Sequence, residues 1–465
     1  MIDIKNKKIH FIAIGGVGMS GLAKYLLENG YKVSGSDVQD SKYIKMLKDL
    51  GAEVSIGHKK ENIQENSIIV ASTAIKDDNV EILRAKELNL PILHRSDLLQ
   101  LIAKEFSDNK KSIFFGFSGT HGKTTTSGLC SYLLEKGGYK PSYVVGGIVP
   151  ELNDNAKFGS ENYFVAELDE SDGTILKYQP DVSIINNLEL DHIDFYTNGF
   201  EDLLKTFDIY LKNLNEGSKV LINTDCEGNR QLIKRNPQVD FITFGINKNA
   251  DYVAKNISFE NFGSSFEIHF KGIKIAELKL TVPGTHNIYN ALGVFAALKE
   301  AEIDTSKIIP HFSTFSGMGR RFQQSADFNN IKIIDDYAHH PSEIKTTLES
   351  VKKSTDSRIV AIFQPHRYSR LKGLWDEFMT SFESADKLIV LDVFAASESR
   401  LEEANSERFV NSIKHQDATY IGGKITEIAD KILPLLAPSD IVLTLGAGDI
   451  TKLGSLIEKE YKQSK

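Results

Sequence analysis

The chain has 465 residues, and its 55 basic and 63 acidic side chains give a formal net charge of −8. Single hydrophobic cores stop growing near ~250–300 residues, so we expect two to four domains. The hydrophobic fraction of 41% is typical of a soluble globular protein. The acidic balance argues against a general binder of nucleic acid or of anionic membranes.

The two cysteines, Cys130 and Cys226, form no CxxC motif and no cysteine–histidine pair. This pattern argues against a disulfide scaffold and a structural zinc site, and it favours a reducing compartment. No apolar run approaches the ~18–20 residues that span a bilayer. The N-terminal residues run into a glycine turn and are typical of a first strand, not of a signal peptide. We therefore predict a cytoplasmic protein.

Short apolar runs alternate with longer amphipathic stretches along most of the chain, which is typical of parallel α/β units. A first helix is predicted at 18–29, and residues 104–112 are polar enough to form a linker. The predicted strands of this rhythm are 9–14, 31–36, 67–71, 91–93, 112–119, 163–168, 181–186 and 331–336.

Residues 251–280 break the rhythm, because apolar and polar residues alternate there across glycine turns. This alternation predicts a small antiparallel β insert. A helix is predicted at about 287–299, after which the α/β rhythm runs to the end. The simplest division is into three α/β domains near residues 1–105, 106–314 and 315–465.

A glycine motif, Gly16, Gly18 and Gly21, follows the first predicted strand and opens the first helix. Asp37 comes 21 positions after Gly16, at the end of the next strand. This context matches a Rossmann fingerprint, in which a helix N-terminus faces a nucleotide diphosphate. NAD is the literal prediction, but the motif does not identify the nucleotide. A packed βαβ unit with no ligand is the plain alternative.

A second glycine loop, GTHGKTTT at 119–126, also lies between a predicted strand and helix. A strict P-loop has glycine where this chain has Phe117, so the pattern fails at its first residue. The remaining backbone N–H groups suit phosphates, Lys123 can reach the β and γ oxygens, and the Thr124 hydroxyl can bind Mg²⁺. The loop therefore predicts a nucleotide triphosphate and a magnesium ion.

Two acidic stretches follow predicted strands, at the edge where open α/β sheets bind ligands. A solvated loop is the ordinary explanation for either stretch alone, but beside a phosphate loop oxygen ligands for Mg²⁺ are favoured. His192 is an unusual partner for Mg²⁺, so the pattern alone favours a loop or core histidine. The residues are Glu167, Asp169, Glu170 and Asp172 in the first stretch and Glu189, Asp191, His192 and Asp194 in the second.

Arg367 and Arg370 are three positions apart and share one face if a helix begins there. Two guanidinium groups on one face suit a carboxylate clamp, and a surface ion pair explains the spacing equally well.

Nine motifs, taken in order over the whole chain, resemble those of the Mur ligases: GGVGMSG, GTHGKTTT, ELDESDG, NNLELDHIDFY, PGTHNIYNA, FSGMGRRF, DDYAHHP, FQPHRYSR and GAGDI. The resemblance implies a Rossmann-like N-terminal domain, a central P-loop ATPase-like α/β domain carrying the β insert, and a C-terminal Rossmann-like domain. It also implies an ATP-dependent ligase that adds L-alanine to UDP-N-acetylmuramate through an acyl phosphate, in cytoplasmic peptidoglycan synthesis.

The resemblance reassigns the first glycine motif from NAD to the UDP part of the sugar substrate. Gly16, Gly18, Met19 and Ser20 would line the diphosphate, with Asp37 toward the uridine. Ser72, Thr73, His94 and Arg95 would be their neighbours.

The resemblance also places ATP and Mg²⁺. Thr124 and Glu167 would hold one Mg²⁺, and His192 would help with a second. His286, Asn287 and Asn290 would flank the adenine, although a helix cap explains the two asparagines as well. Arg321 would reach the phosphates, unless Arg320–Arg321 is only a solvated hinge. The phosphate loop itself would be Gly119, Thr120, His121, Gly122, Lys123, Thr124 and Thr125.

For the third domain, the resemblance implies that Arg367 and Arg370 hold the alanine carboxylate. Asp336 and Tyr337 would lie near ribose and substrate, beside His339 and His340. The group that deprotonates the alanine amine stays open among His192, His340 and a nearby acid. Several siblings carry a carbamylated lysine where this chain aligns Thr206 next to Lys205, so no carbamate is predicted.

Three rivals remain on sequence grounds. A recycling ligase would attach a ready-made peptide to the same nucleotide sugar, but PHRYSR favours a free amino acid. An NAD-dependent oxidoreductase would leave the ATP loop unexplained. A non-catalytic nucleotide-sugar sensor is opposed by the presence of Lys123, Thr124, Glu167 and His192. We expect a monomer or homodimer whose domains close around the substrates.

Overall fold

The computed structural model describes Ile4 and residues 7–72, 74–107, 111–190, 195–247, 249–260, 263–319, 322–396 and 398–464. These residues form two compact units. The first runs to Lys255 and includes Glu267–Leu278 and Tyr289–Phe312, and the second comprises Asn256–Phe266, Lys279–Ile288 and the residues from Ser313 onward. Within the described ranges, no helix is long and apolar enough to cross a membrane.

The first sheet has five parallel strands in the order β3-β2-β1-β4-β5. Its elements are β1 Lys8–Ile12, α1 Val17–Glu28, β2 Val33–Asp37, α2 Lys42–Asp49, β3 Glu53–Ile56, β4 Ser67–Ala71, α3 Val80–Glu87, β5 Ile92–His94 and α4 Arg95–Ser107. The strand order reverses between β1 and β4, so the switch point, where such sheets bind ligands, lies beside the glycine motif. The predicted linker at 104–112 is wrong at its start, because α4 continues to Ser107.

The second sheet has ten strands in the order β15-β14-β13-β12-β11-β10-β6-β9-β7-β8. Its elements are β6 Ile113–Ser118, α5 Lys123–Lys136, β7 Ser142–Val149, β8 Asp154–Lys157, β9 Tyr163–Glu167, β10 Val182–Ile185, α6 Phe200–Asn213, β11 Lys219–Asn223, α7 Glu227–Arg235, β12 Phe241–Gly245, β13 Tyr252–Glu260, β14 Gly263–Phe270, β15 Ile273–Leu280 and α8 Thr285–Glu300. The central strand β6 pairs in parallel with β9 and β10. Their carboxyl ends therefore meet at one edge.

The predicted β insert is the run β13 to β15, and it extends the second sheet beyond β12. Lys271 and Gly272 connect β14 to β15, and both have positive φ angles, 47° and 88°. Two successive positive φ angles are typical of a type I′ turn, which joins antiparallel neighbours. The antiparallel hairpin predicted from alternation is thus present.

The third sheet has six strands in the order β16-β17-β21-β18-β19-β20, and all neighbours are parallel except β16 and β17. Its elements are β16 Gln323–Phe328, β17 Ile331–Asp336, α9 Pro341–Ser354, β18 Ile359–Phe363, α10 Tyr368–Gly373, α11 Trp375–Phe378, β19 Lys387–Leu391, α12 Ser406–Ser412, β20 Ala418–Ile421, α13 Ala429–Ile432, β21 Ile441–Leu445 and α14 Leu453–Gln463. Apolar cores cover both faces of this sheet, as in doubly wound folds.

A buried lysine joins the first helix to the edge of the second sheet. Lys24, on α1, is only 7% exposed. Its ammonium group donates to the Asp154 carboxylate and to the carbonyl oxygen of Ala156 at 2.7 Å, and it pairs with Glu28 at 2.8 Å. A buried charge is costly unless it is paired, so these acceptors hold α1 against β8.

A buried polar cluster stabilises the first sheet around Glu81. Its carboxylate accepts hydrogen bonds from the Ser36 hydroxyl at 2.5 Å, the Asn62 amide at 2.6 Å and the Lys59 N–H at 3.2 Å. Burial alone would raise the pKa of Glu81, but hydrogen bonds from His10, Ser36 and Asn62 outweigh it and lower the pKa to about 2. The carboxylate is therefore ionised across the physiological range.

Candidate active site

The loop between β6 and α5 has a backbone that suits only glycine at two positions. Gly119 and Gly122 have φ angles of +119° and +83°. A Cβ on Gly119 would lie 2.7 Å from the Asn187 carbonyl oxygen, and one on Gly122 would lie 2.8 Å from the Asn290 Oδ1. The loop therefore packs closely against its neighbours and leads directly into the N-terminus of α5, a position that favours anions.

The loop is also fixed to the residues that follow β10. The Thr120 hydroxyl donates to the Glu189 carbonyl oxygen at 3.0 Å and accepts from the Glu189 N–H at 2.9 Å. The His121 N–H donates to the Asn187 Oδ1 at 2.8 Å. Sequence reasoning assigned no role to Asn187, although it lies in the NNLELDHIDFY motif. These hydrogen bonds fix the conformation of the loop against the segment that follows β10.

Lys123, the first residue of α5, turns back over the loop. Its ammonium group donates to the carbonyl oxygens of Gly119 at 2.7 Å and Thr120 at 3.2 Å, and to the Glu170 Oε1 at 2.9 Å. Burial opposes the charged form, but the charges of nearby carboxylates, that of Glu170 foremost, outweigh it and raise the pKa of Lys123. Burial raises the pKa of Glu170.

Thr124 and Glu167, which the family resemblance assigns to one Mg²⁺, lie together beside the loop. The Thr124 hydroxyl donates to the Glu167 Oε2 at 2.9 Å, and the same oxygen accepts from the Gly146 N–H at 3.0 Å. A hydroxyl and a carboxylate are oxygen ligands of the kind that Mg²⁺ prefers. Among the residues that the structure describes, no three His, Cys, Asp or Glu side chains form a metal-binding group. His192, Asp191 and Asp194 lie outside the described residues.

The glycine motif of the first sheet lies beside Arg95. The Gly15 N–H donates to the Asp37 Oδ2 at 2.9 Å, and Gly16 caps α1 with extended backbone. A Cβ on Gly18 would lie 3.0 Å from the Arg95 Nη1. Gly18, predicted to line the diphosphate, and Arg95, predicted to be its neighbour, thus lie close together at the carboxyl edge of the sheet.

The other described residues predicted for this site are buried or partly buried. Met19 and Ser20 are buried in α1, and the Ser20 hydroxyl donates to the Val17 carbonyl oxygen at 3.0 Å. The His94 Nδ1 lies 2.7 Å from the Ser96 Oγ, and burial lowers the pKa of His94. Ser72 follows β4 and Thr73 lies outside the described residues.

The acidic stretch after β9 sends its carboxylates to different partners. Glu170 pairs with Lys123, whereas the Asp169 Oδ2 lies 3.6 Å from the Arg95 Nη2. The Asp172 Oδ1 accepts a hydrogen bond from the Thr174 N–H at 3.0 Å. Consecutive residues of this stretch therefore connect the phosphate loop with the arginine beside the glycine motif.

The residues predicted to flank adenine are on α8. Asn290 lies next to Gly122, in the first unit. In the second unit, the Asn287 amide donates to the Pro283 carbonyl oxygen at 2.7 Å and lies 3.1 Å from the His286 Nε2. Thr125 is in the first turn of α5. Arg320 and Arg321 lie outside the described residues.

The aligned carbamate position lies on α6. The Thr206 hydroxyl donates to the Asp202 carbonyl oxygen at 3.0 Å, and Lys205 is exposed and 3.7 Å from the Asp202 carboxylate. The Tyr196 hydroxyl donates to the backbone carbonyl oxygen of Glu170. The absence of a carbamate stays a prediction.

In the second unit, the predicted residues after β17 form a compact turn. The Asp336 carboxylate accepts from the Phe322 and Ala338 N–H groups, both at 2.8 Å. The Tyr337 ring packs edge-on against His339, with centroids 5.1 Å apart. His340 is the N-cap of α9, and its Nδ1 accepts from the backbone of that helix. His340 therefore caps α9 through its Nδ1, and its catalytic role stays a prediction.

The two arginines of the predicted clamp are not on one helix face. α10 begins at Tyr368, and Arg367 is its N-cap with a φ angle of +70°. The spacing argument, which required a helix at Arg367, is therefore wrong. The Arg370 Nη1 donates to the His366 Nδ1 at 3.0 Å. Burial and then the charge of Arg370 lower the pKa of His366 to about 4. Sequence reasoning missed His366, although it lies in the same motif.

Comparisons with known proteins agree with the motif order. Three domain profiles match the chain: "Mur ligase family, catalytic domain" at 8–107, "Mur ligase middle domain" at 117–298 and "Mur ligase, glutamate ligase domain" at 320–448. Among curated proteins, the UDP-N-acetylmuramate–L-alanine ligase of Geobacter sulfurreducens is 39% identical over 99% of both chains. That of Geotalea uraniireducens is 39% identical over 98% of both chains.

Solved structures share the fold. The UDP-N-acetylmuramate-alanine ligase MurC of Thermotoga maritima superposes with a TM-score of 0.83 at 29% identity, covering 99% of this chain and 100% of the other. A murein peptide ligase of Psychrobacter arcticus superposes with a TM-score of 0.71 at 21% identity over 98% of both chains. The latter likeness is one of fold alone.

Proposed function

Because this chain belongs to the Mur ligase family, an ATP-dependent family, we propose that it joins L-alanine to the lactyl carboxylate of UDP-N-acetylmuramate. The products would be ADP, phosphate and UDP-N-acetylmuramoyl-L-alanine, a precursor of peptidoglycan. The full-length similarity to curated ligases with that activity carries the proposal. We place the reaction in the cytoplasm, which suits the two free cysteines, Cys130 and Cys226.

The chemistry needs an activated carboxylate, because resonance and charge make a free carboxylate a poor electrophile. Transfer of the γ-phosphoryl group of ATP to the lactyl carboxylate gives an acyl phosphate with a good leaving group. Lys123 and the N–H groups at the start of α5 would neutralise the charge that spreads over the transferring phosphoryl oxygens. The alanine amine then attacks the acyl carbon and phosphate departs.

The hydroxyl of Thr124 and the carboxylate of Glu167, 2.9 Å apart, fit a bound Mg²⁺. When bound, Mg²⁺ would add charge neutralisation at the phosphate oxygens. We assign His192 to a second ion on the family resemblance. The Gly146 N–H orients Glu167 by donating to its Oε2, which keeps the carboxylate facing Thr124.

We assign the nucleotide sugar to the carboxyl edge of the first sheet and alanine to the third. Gly16 and Gly18 would approach the diphosphate, Arg95 would neutralise its charge, and Asp37 would lie toward the uridine. Arg370 would bind the alanine carboxylate, and its hydrogen bond to His366 limits its rotation. A guanidinium group that is already oriented loses less entropy when it binds a carboxylate.

Phosphate release from ATP tests this proposal directly. The assay contains Mg²⁺ and UDP-N-acetylmuramate, with and without each of several amino acids, and the product is weighed by mass spectrometry. Release that requires L-alanine, with a product heavier by one alanine residue, supports the proposal. Release only with a tripeptide would instead support a recycling ligase. No release with any acceptor, despite binding of the nucleotide sugar, would support a sensor.

A further inference from the structure

Lys123 has no hydrogen-bond donor left for a phosphate. An ammonium group has three N–H donors, and three acceptors surround the Lys123 Nζ: two loop carbonyl oxygens and the Glu170 Oε1. The carbonyl oxygens of Gly119 and Thr120 belong to a loop fixed by β10. Of these three acceptors, only the Glu170 Oε1 belongs to a side chain. If Lys123 is to bind a phosphate, it is the Glu170 carboxylate that can withdraw.

The buried Glu170 carboxylate loses its charged partner once that bond is broken. Its side chain is 1% exposed, and its second oxygen, Oε2, is buried without a hydrogen-bond partner among the described residues. The Tyr196 hydroxyl donates to the backbone carbonyl oxygen of Glu170, so this contact does not depend on where the carboxylate lies. Lys123 is thus the main counterion of a buried carboxylate.

We propose that the Glu170 carboxylate occupies the place of a nucleotide phosphate on Lys123 and competes with ATP for it. In the nucleotide-free chain, the pair keeps the Lys123 ammonium group over the loop and ready to bind. When ATP enters, one charge-assisted hydrogen bond is exchanged for another, and Glu170 is left without its counterion close to the phosphates. Glu170 therefore weakens nucleotide binding while it positions the lysine. This inference depends on the proposed ATP site.

The competition predicts a gain of affinity when the charge is removed. Glu170→Gln keeps the size of the side chain but leaves a neutral amide, which binds an ammonium group less strongly than a carboxylate does. A hydrogen bond between two charged groups stabilises more than one with a neutral partner. Part of that energy opposes ATP in the native chain, so we expect ADP and a non-hydrolysable ATP analogue to bind roughly tenfold more tightly to the variant.

Two controls separate competition from a general change of the fold. AMP lacks the β and γ phosphates that Lys123 would reach, so its affinity should be the same in both proteins. Glu135→Gln is the matched variant, because Glu135 also pairs with a lysine, Lys157, and its buried Oε2 also has no hydrogen-bond partner in the described part of the chain. It lies twelve residues along α5 from Lys123, about 18 Å away, and should leave all nucleotide affinities unchanged.

The experiment is a calorimetric titration of each protein with AMP, ADP and the ATP analogue in the presence of Mg²⁺. Tighter binding of ADP and the analogue to Glu170→Gln, with AMP unchanged, supports the inference. Equal or weaker binding of ADP to this variant overturns it. Should Glu170→Gln fold poorly, Glu170→Asp provides a second test. A shorter carboxylate reaches Lys123 less well, so ADP binding should again tighten, by a smaller factor, and unchanged affinity refutes the competition.

Wild-type turnover keeps this test apart from that of the proposed function. If the wild-type protein neither binds ADP nor releases phosphate, the ATP site itself is wrong. If the wild type turns over but Glu170→Gln shows no gain in affinity, only the competition is wrong.

Discussion

Alanine at Gly122 should weaken nucleotide binding through crowding, and Gly138 provides the comparison that isolates this effect. The two glycines lie at opposite ends of α5 with nearly the same φ angle, +83° and +84°. Left-handed backbone costs an L-residue roughly 1–2 kcal/mol, so both substitutions carry this strain. A Cβ at Gly138 meets nothing within 4 Å, whereas one at Gly122 lies 2.8 Å from the Asn290 Oδ1 and 3.1 Å from the Asn186 Nδ2.

Overpacking of this kind typically costs 1–3 kcal/mol, and at Gly122 the displaced groups belong to the phosphate loop and its surroundings. We therefore expect Gly122→Ala to raise the dissociation constant for ADP by about 5- to 150-fold. Gly138→Ala should destabilise the fold by about 1–2 kcal/mol and leave that constant unchanged. Calorimetric titration with ADP and thermal unfolding of both variants measure the two effects. Equal changes of ADP affinity in the two variants would refute the role assigned to crowding.

Three further outcomes are expected. Lys123→Ala should abolish phosphate release and leave the dissociation constant of UDP-N-acetylmuramate nearly unchanged; equal loss of both would contradict separate sites for the two nucleotides. Lys24→Met should lower the free energy of unfolding by about 2–4 kcal/mol, because Asp154 and Glu28 lose a buried counterion. Adding Asp154→Asn should recover part of the lost free energy. Strictly additive changes of the unfolding free energy in the double variant would argue against the pairing. Glu81→Gln should lower the free energy of unfolding by roughly 3 kcal/mol above pH 4.5. The hydrogen bonds that depress the Glu81 pKa stabilise only the ionised carboxylate, so this difference should vanish as the pH falls toward 2 and the carboxylate is protonated. A constant difference in urea denaturation between pH 6 and pH 2.5 would contradict the pKa of Glu81.

Sequence patterns predicted the central strands better than the edges. The ranges 67–71 and 331–336 coincide with β4 and β17, because strands buried on both faces read as continuous apolar runs. The edge strand β8, Asp154–Lys157, has the sequence DNAK and no such signal. It is covered by α1, a contact between distant parts of the chain that no local pattern contains.

The candidate site likewise has a part that the sequence predicted and a part that it did not. The sequence places the phosphate loop and the acidic stretch at the ends of strands of one parallel sheet, the family resemblance pairs Thr124 with Glu167, and the structure brings these two side chains together. The sequence could not predict which basic side chain each carboxylate of the acidic stretch contacts. Asp169 turns to Arg95 and Glu170 turns to Lys123, and this depends on loop backbone angles that the residue types do not determine.

The bond between Lys24 and Asp154 also has an evolutionary consequence. The two residues are 130 positions apart in the sequence, yet a substitution that removes either charge takes a charged hydrogen-bond partner from the other. Selection therefore acts on them as a pair, and a lineage that changes one is expected to change the other soon afterwards. Substitutions in α1, after the first glycine motif, and in β8, the edge strand of the second sheet, are therefore expected to be correlated at these two positions.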